Sequence, residues 1–197
     1  MKIKQAEIED IEDLAKVALT TAIGGKDGTD YFYNKNAVSQ YFCEPYIKYD
    51  NQYCFDVVEN DICEGYTVGA VDSKDFFAWF NESWLPSLRE SYSGCQIKTK
   101  EEKDIIDLIN KDVENSSFFE EYPAHLHINL SKNLQGKKIG SKLINTLLDK
   151  FAEQGVKGVH LGVDIKNDRA IGFYRHLGFE IIESHSWGHV MGKKISK

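Results

Sequence analysis

The stretch Gln135-Gly136-Lys137-Lys138-Ile139-Gly140 lies between two segments of different periodicity. Residues 125–130 alternate polar and apolar side chains, which predicts a β-strand, and residues 139–154 carry apolar side chains at helical spacing. The first amides of a helix lack partners within it, and the helix dipole adds about half a positive charge there. Because Lys137, Lys138 and Lys142 add full charges, the stretch predicts a site for a phosphate-bearing ligand. It matches neither P-loop spacing nor GxGxxG.

The rest of the last third continues to alternate strands and helices. Residues 158–163, 179–182 and 187–191 predict strands, and residues 167–177 predict a helix with one apolar face. Gly155, just beyond the helix of residues 139–154, is a candidate C-cap. This order predicts an α/β (α+β) fold with a central, twisted, mixed sheet flanked by helices.

The first 71 residues predict elements that extend the same sheet. We expect a strand at residues 2–7, helices at 8–20 and 35–49, and a hairpin of residues 52–58 and 62–71. Residues 72–124 are richer in aromatic side chains, and two further helices are expected there, over 76–88 and 100–113. This segment reads as a helical insertion, either a substrate lid or, as we favour, additional core.

Length and composition narrow the class of protein. The 197 residues, 42% of them hydrophobic, are enough for a single domain covering residues 1–197. No apolar run approaches the roughly 20 residues that a membrane span needs, and the N-terminus lacks an apolar signal core. The four cysteines form no CxxC pair, and no carboxylate or cysteine near His125 and His127 completes a ligand set, so we expect no metal site and a cytoplasmic location.

Charge is distributed unevenly along the chain, whose net charge is −7. Residues 125–197 hold 12 basic and 6 acidic side chains, whereas residues 1–124 hold 12 basic and 25 acidic ones. A basic last third suits an anionic cofactor. The acidic remainder suits a cationic substrate and disfavours a nucleic-acid partner.

Two motifs in the last third are similar to the GCN5-related N-acetyltransferase (GNAT) family. The family's phosphate-binding signature, Gln/Arg-x-x-Gly-x-Gly/Ala, corresponds to Gln135-x-x-Lys138-x-Gly140, with lysine where the family usually has glycine. A second family pattern corresponds to residues 167–174 followed by Leu177-Gly178-Phe179. Residues 122–128 and 158–163 further resemble the acetyltransferase-like domains associated with O-GlcNAcase and their free-standing bacterial relatives. The resemblance implies a GNAT acyl-CoA N-acyltransferase fold with a cofactor-binding core over residues 122–183.

The resemblance also implies acetyl-CoA as the cofactor and assigns residues to it. The backbone of Asn129 and Leu130 would pair with the pantetheine arm. Asn167 and Arg169 are candidates for further cofactor contacts. The alternatives are that Asn167 only caps a helix and that Arg169 is only a solvated surface residue. The pyrophosphate would be held by Gln135, Gly136, Lys137, Lys138, Ile139, Gly140 and Ser141.

Three residues are candidates for catalysis. Tyr174 is the family's usual general acid toward the leaving thiolate, or else a core tyrosine. For the general base, His127 has a suitable side chain, and Asp164 ends a predicted strand near the cofactor. Each of these two residues could instead have a purely structural role. An acceptor amine that binds in its neutral form would need no base.

The sequence favours an acetyl-CoA-dependent N-acetyltransferase acting on a primary amine of a small-molecule or peptide acceptor. The alternative is a GNAT-like coenzyme A binding or scaffold module that keeps the fold without catalysis, because Lys138 departs from the signature. The acceptor and the oligomeric state, a homodimer included, are left open.

Overall fold

A seven-stranded mixed sheet forms the centre of the computed structural model, which describes residues 1–195. Every neighbouring pair of strands is antiparallel except the fourth and fifth, which are parallel. The spatial order is β1-β2-β3-β4-β5-β7-β6, with the strands β1 (Lys2–Gln5), β2 (Cys54–Glu59), β3 (Ile62–Ala70), β4 (Ala124–Leu130), β5 (Gly158–Asp164), β6 (Glu180–Ser184) and β7 (Gly188–Lys194). This confirms the predicted mixed sheet.

Eight α-helices flank this sheet within the described residues. Their bounds are α1 (Ile11–Thr20), α2 (Ala37–Phe42), α3 (Glu44–Asp50), α4 (Ser73–Trp79), α5 (Leu85–Tyr92), α6 (Lys100–Ile109), α7 (Ile139–Glu153) and α8 (Asp168–His176). Among residues 1–195, none of the helices combines the length and apolar character that crossing a membrane requires.

Two predicted helices differ in their course from the observed ones, and a third, expected over residues 100–113, ends at Ile109. The single helix expected over residues 35–49 is two helices separated at Cys43, and Pro45 lies in the first turn of α3, where its missing amide is not needed. The helix expected over 76–88 is α4 and α5 joined by a π-helical turn at Phe80–Trp84, and it continues to Tyr92. Pro86 therefore opens the last part of this helix rather than ending it.

Each face of the sheet carries its own hydrophobic core. Helices α7 and α8 cover one face, with Leu143, Phe151 and Tyr174 among the buried side chains. On the other face, α1 to α6 enclose a second core that includes Tyr66 and, from the insertion, Phe76 and Phe80, which are 1% and 2% exposed. The aromatic side chains Phe76 and Phe80 therefore belong to the core.

The sheet splits between its two parallel strands. In the part of the chain that the structure describes, β4 and β5 pair only at Ala124 with Val159 and at His125 with His160. Both strands continue beyond this point, β4 to Leu130 and β5 to Asp164. Their C-terminal ends therefore border a gap next to the segment that leads into α7.

Candidate active site

The turn before α7 has an unusual backbone. Gly136 has φ of 77° and Lys138 has φ of 62°, so both lie in the left-handed region. A residue with a Cβ atom pays roughly 1–2 kcal/mol for that conformation, whereas glycine adopts it freely. This gives a physical reason for glycine in the family signature, and the lysine of this chain adopts the conformation despite the cost. The side chains of Lys137 and Lys138 are exposed at the mouth of the turn.

Gly140 lets the start of α7 pack closely on its neighbours. A Cβ atom at this position would lie 3.0 Å from Leu130 Cδ1 on β4 and 3.0 Å from Phe173 Cζ on α8. Ile139 and Gly140 are buried, whereas Gly136 is exposed. The turn therefore presents its own backbone outward while the first residues of α7 are held against the end of β4.

Gln135 connects this turn to the end of β4. Its Nε2 donates a hydrogen bond to the Leu130 carbonyl oxygen at 3.0 Å. The same nitrogen lies 3.8 Å from the Cβ position of Gly25, in the loop after α1. Side-chain and backbone groups of Gln135 therefore lie where the end of β4, the turn and the loop after α1 meet.

A cavity of about 530 Å³ opens beside Gln135. The 131–135 segment forms one wall, residues 24–27 form another, and Arg169 of α8 also lines it. Arg169 thus shares this cavity with the segment that leads into the turn. The loop Gly24-Gly25-Lys26-Asp27 is a candidate site segment that none of the predicted motifs includes. Its glycine pair, at φ of 57° and 85°, was the one local hint.

His127 lies on β4 beside the gap, on the face of the sheet that carries α1 to α6. Its ring stacks on Phe42 at 5.2 Å between centroids, and its Nε2 is buried without a hydrogen-bond partner within the described residues. Burial lowers its pKa to about 4, so the imidazole is neutral near pH 7. A buried imidazole nitrogen without a partner is available for a proton or a hydrogen bond.

Tyr174 lies on the opposite face of the sheet from His127. It is 9% exposed and packs beside Phe173 and Phe179 in the core beneath α7 and α8. Desolvation raises the pKa of its hydroxyl, which therefore stays protonated. His127 and Tyr174 can approach a common ligand only through the gap between β4 and β5.

The remaining predicted side chains have local partners. Asn129 Nδ2 donates to the Tyr66 hydroxyl at 3.1 Å. Asn167 Oδ1 accepts a hydrogen bond from the Ala170 amide at 3.1 Å and so caps α8, which was the alternative to a cofactor contact. Asp164 is exposed, and its Oδ1 accepts from the Lys166 amide at 2.7 Å. Ser141 follows Gly140 in the first turn of α7 and is half-buried.

Metal ligands do not gather at this site. Within residues 1–195, no three His, Cys, Asp or Glu side chains come together in a way that could hold a metal ion. His125 Nδ1 is instead 2.8 Å from Ser73 Oγ, and His160 Nδ1 is 2.8 Å from the Tyr122 carbonyl oxygen.

The split mixed sheet with a left-handed turn at the start of α7 places the protein in the acyl-CoA N-acyltransferase fold class. Residues 35–179 match the family model described as Acetyltransferase (GNAT) family, so the chain belongs to that family. The resemblance drawn from its two motifs is thereby confirmed.

Comparisons with individual proteins agree with this assignment. The O-GlcNAcase proteins of Rattus norvegicus and Mus musculus are each 26% identical to this chain over 134 residues. The matched residues cover 66% of this chain but 15% of each O-GlcNAcase. This confirms the O-GlcNAcase-related resemblance, although the chain matches only a small part of those relatives. A solved structure called SsHAT is 26% identical with a TM-score of 0.89 over 100% of this chain and 98% of that one.

More distant solved structures share the fold. The paia N-acetyltransferase from Thermoplasma acidophilum, in complex with coenzyme A, has a TM-score of 0.56 and 17% identity over 98% of each chain. The putative acetyltransferase yncA from Salmonella typhimurium, with acetyl-CoA, has a TM-score of 0.60 and 14% identity over 100% of this chain and 95% of that one.

Proposed function

We propose that this protein is an N-acetyltransferase that uses acetyl-CoA to acetylate a primary amine of a small-molecule or peptide acceptor. The observation that carries the proposal is the left-handed turn at Gly136 and Lys138, at the mouth of the gap between β4 and β5. Membership of the GNAT family and the fold shared with coenzyme A-bound neighbours support it.

The residues present fit a coenzyme A thioester. Exposed backbone at Gly136, the start of α7 and the charges of Lys137 and Lys138 suit a pyrophosphate, and the half-buried Ser141 is a further donor. Within the described residues, β4 does not pair with β5 beyond His125, so we propose that an extended arm pairs with this edge near Asn129 and Leu130, where the Leu130 carbonyl oxygen already accepts from Gln135 Nε2. Arg169, in the adjacent cavity, supplies a further positive charge. When bound, the cofactor supplies an acetyl group as an activated thioester.

Proton transfer falls to side chains on either side of the gap. Tyr174, whose raised pKa keeps it protonated, is proposed to donate a proton to the leaving thiolate. His127 is proposed to accept the proton that the attacking amine loses, directly or through a water molecule, because its buried Nε2 has no partner among the described residues. Asp164 is the second candidate for this role, since it ends β5 at the rim of the gap.

A second candidate function is a coenzyme A binding module without catalysis. The observation that favours it is burial, because both proposed proton-transfer side chains are packed against aromatic rings, His127 on Phe42 and Tyr174 beside Phe179. The pKa of His127, about 4, also makes this imidazole a weak base.

Release of free coenzyme A from acetyl-CoA, measured across a panel of primary amines, separates the two functions. Turnover that falls at least tenfold in Tyr174→Phe would support the acetyltransferase. Tyr46→Phe is the matched control because Tyr46 is buried in the other core, at 8% exposure. Acetyl-CoA binding with no amine-dependent release from the wild-type protein would favour the binding module.

A further inference from the structure

Aromatic rings lie on the part of the sheet beyond the gap, where Phe118 and Phe119 cover His160 at its closed end. On the face that also carries His127, the ring of Tyr122 covers Gly158 and Gly192, and the ring of Trp187 covers Gly162. A Cβ atom on Gly162 would lie 3.2 Å from Trp187 Cη2. Trp187 nevertheless remains 54% exposed, so most of its surface faces solvent.

The position of Trp187 relates directly to the gap. His125 and His160 are the last paired residues of β4 and β5, and two residues further along each strand come His127 and Gly162. Side chains alternate along a strand, so both positions point to the same face as the paired histidines. The Trp187 ring over Gly162 therefore forms the wall of the gap opposite His127.

Trp187 is held in this position from two sides. Its ring stacks on His185 with 5.4 Å between centroids and 4° between planes, and His185 Nε2 lies 3.2 Å from Glu183 Oε2. Its carbonyl oxygen accepts a hydrogen bond from the Ile165 amide at 3.3 Å. The ring therefore stacks on His185, and the backbone of Trp187 is joined to the residue after β5.

The charges around this ring favour a cation. Gly188, next to Trp187, pairs with Asp164, whose exposed carboxylate lies two residues beyond Gly162 on the same face of β5, and Glu183 Oε2 lies 3.2 Å from His185 Nε2. Lys166 is the lysine nearest to Asp164 along the chain, and it contacts that carboxylate through its backbone amide. An exposed indole with acidic residues at the ends of β5 and β6 suits an ammonium group, which is attracted to the face of an aromatic ring.

We infer that Trp187 determines acceptor specificity: its ring forms the wall that binds the acceptor as an ammonium ion across the gap from His127, and this ion releases one proton to solvent before the neutral amine attacks and passes its second proton to His127. The inference rests on the proposed acetyltransferase function, since it assigns the acceptor side of that site. It names the acceptor class as a cationic primary amine carried on a group small enough to lie against one indole ring.

Benzylamine and benzyl alcohol, which differ in charge but little in shape, test the inference in the presence of saturating coenzyme A. Binding is followed by the NMR chemical shift of the Gly162 amide in the wild-type protein and in Trp187→Leu. The control is Ile62→Ala, which removes an exposed apolar side chain at the β2–β3 hairpin. We expect benzylamine to bind more tightly than the alcohol, and Trp187→Leu to reduce that preference by about three- to tenfold. Ile62→Ala should leave it unchanged.

Gly162→Ala gives an independent variant, because its methyl group would press against the Trp187 ring at 3.2 Å and should also weaken benzylamine binding, here followed at the Ala amide. Unchanged coenzyme A affinity shows that each variant is folded. The inference is wrong if benzylamine does not bind at tens of millimolar, or if Trp187→Leu weakens amine and alcohol equally or neither.

Failure of the proposed function has a different outcome. Benzylamine binding that depends on Trp187, without coenzyme A release for any amine, supports the subsite and contradicts the acetyltransferase. Coenzyme A release with an acceptor KM that Trp187→Leu leaves unchanged contradicts the subsite and supports the acetyltransferase.

Discussion

His125 on β4 and His160 on β5 form the last pair that joins the two parallel strands, and their rings lie 5.6 Å apart. The gap begins at this pair, and the rings of Phe77 and Phe119 from the insertion stack on the two histidines. The insertion therefore helps to build the closed end of the gap, so its aromatic residues support the site as well as the core.

Gly140 should be intolerant of a side chain. Gly140→Ala places a methyl group 3.0 Å from Leu130 and Phe173, and we expect it to lower the free energy of unfolding by about 1–3 kcal/mol. Gly172→Ala is the matched control, because it lies in α8 with nothing within 4 Å of its Cβ position and should gain up to about 1 kcal/mol. Urea unfolding measures both. A neutral or stabilising Gly140→Ala would contradict the close packing of α7.

Replacing Lys138 by glycine should raise the stability of the protein. Lys138→Gly removes roughly 1–2 kcal/mol of left-handed strain, and the greater entropy of glycine in the unfolded chain costs about 0.5–1 kcal/mol, so we expect a net stabilisation of up to about 1.5 kcal/mol. Gly136→Ala, at φ of 77°, should show the opposite sign. The same unfolding measurement compares the two, and a loss of stability in Lys138→Gly would show that the side chain has a stabilising contact.

Acid should destabilise the protein through its buried histidines. Burial lowers the pKa of His127 and His160 to about 4, against roughly 6.5 in the unfolded chain. The unfolded state therefore binds more protons than the folded state between these two pKa values. The contribution of each neutral histidine to the free energy of unfolding is fully present above about pH 6.5. It is lost as the pH falls toward 4, at up to about 1.4 kcal/mol per pH unit for each histidine.

His160→Phe isolates this effect, with the exposed His176→Phe as its control. The slope of unfolding free energy against pH between 6.5 and 4 should become shallower in His160→Phe only. Parallel slopes in the wild type and both variants would contradict the buried, neutral state of His160.

Glu102 joins the segment between α1 and α2 to the insertion through hydrogen bonds, and the protein should be less stable without them. It is fully buried, and its carboxylate accepts hydrogen bonds from the Asn34 amide at 2.7 Å, Asn34 Nδ2 at 2.8 Å and the Lys98 amide at 2.7 Å. Burial raises its pKa, but these hydrogen bonds outweigh that effect and leave the pKa below its usual value.

Glu102→Gln replaces one accepting oxygen by a donor that faces other donors. We expect a loss of about 1–3 kcal/mol in unfolding free energy, whereas Glu101→Gln, one residue away on α6, should change it little. Equal denaturation midpoints for the two variants would contradict this assignment.

The last third of the fold was predictable because its information is local. The alternation in β4 and the apolar face of α7 are complete within their own segments, and the predicted bounds agree with Ala124–Leu130 and Ile139–Glu153 to within about a residue. The break at Cys43 between α2 and α3 was missed because Pro45 is compatible both with a kink and with a first turn.

The site was only partly predictable, for the same reason. The turn at Gly136 and Lys138 is encoded in adjacent residues. The loop Gly24–Asp27 beside Gln135, and the ring of Phe42 on His127, are brought there by tertiary packing that no local pattern carries. The buried Nε2 of His127 depends on such contacts, and so does the indole over Gly162.

Calorimetric titration with acetyl-CoA shows whether the turn before α7 holds this cofactor. We expect one acetyl-CoA bound per chain. Arg169→Ala removes a charge from the cavity beside Gln135 and should weaken the affinity about tenfold. Arg175→Ala, on the exposed side of α8, should leave the affinity unchanged. No binding at millimolar acetyl-CoA would contradict the proposed cofactor site.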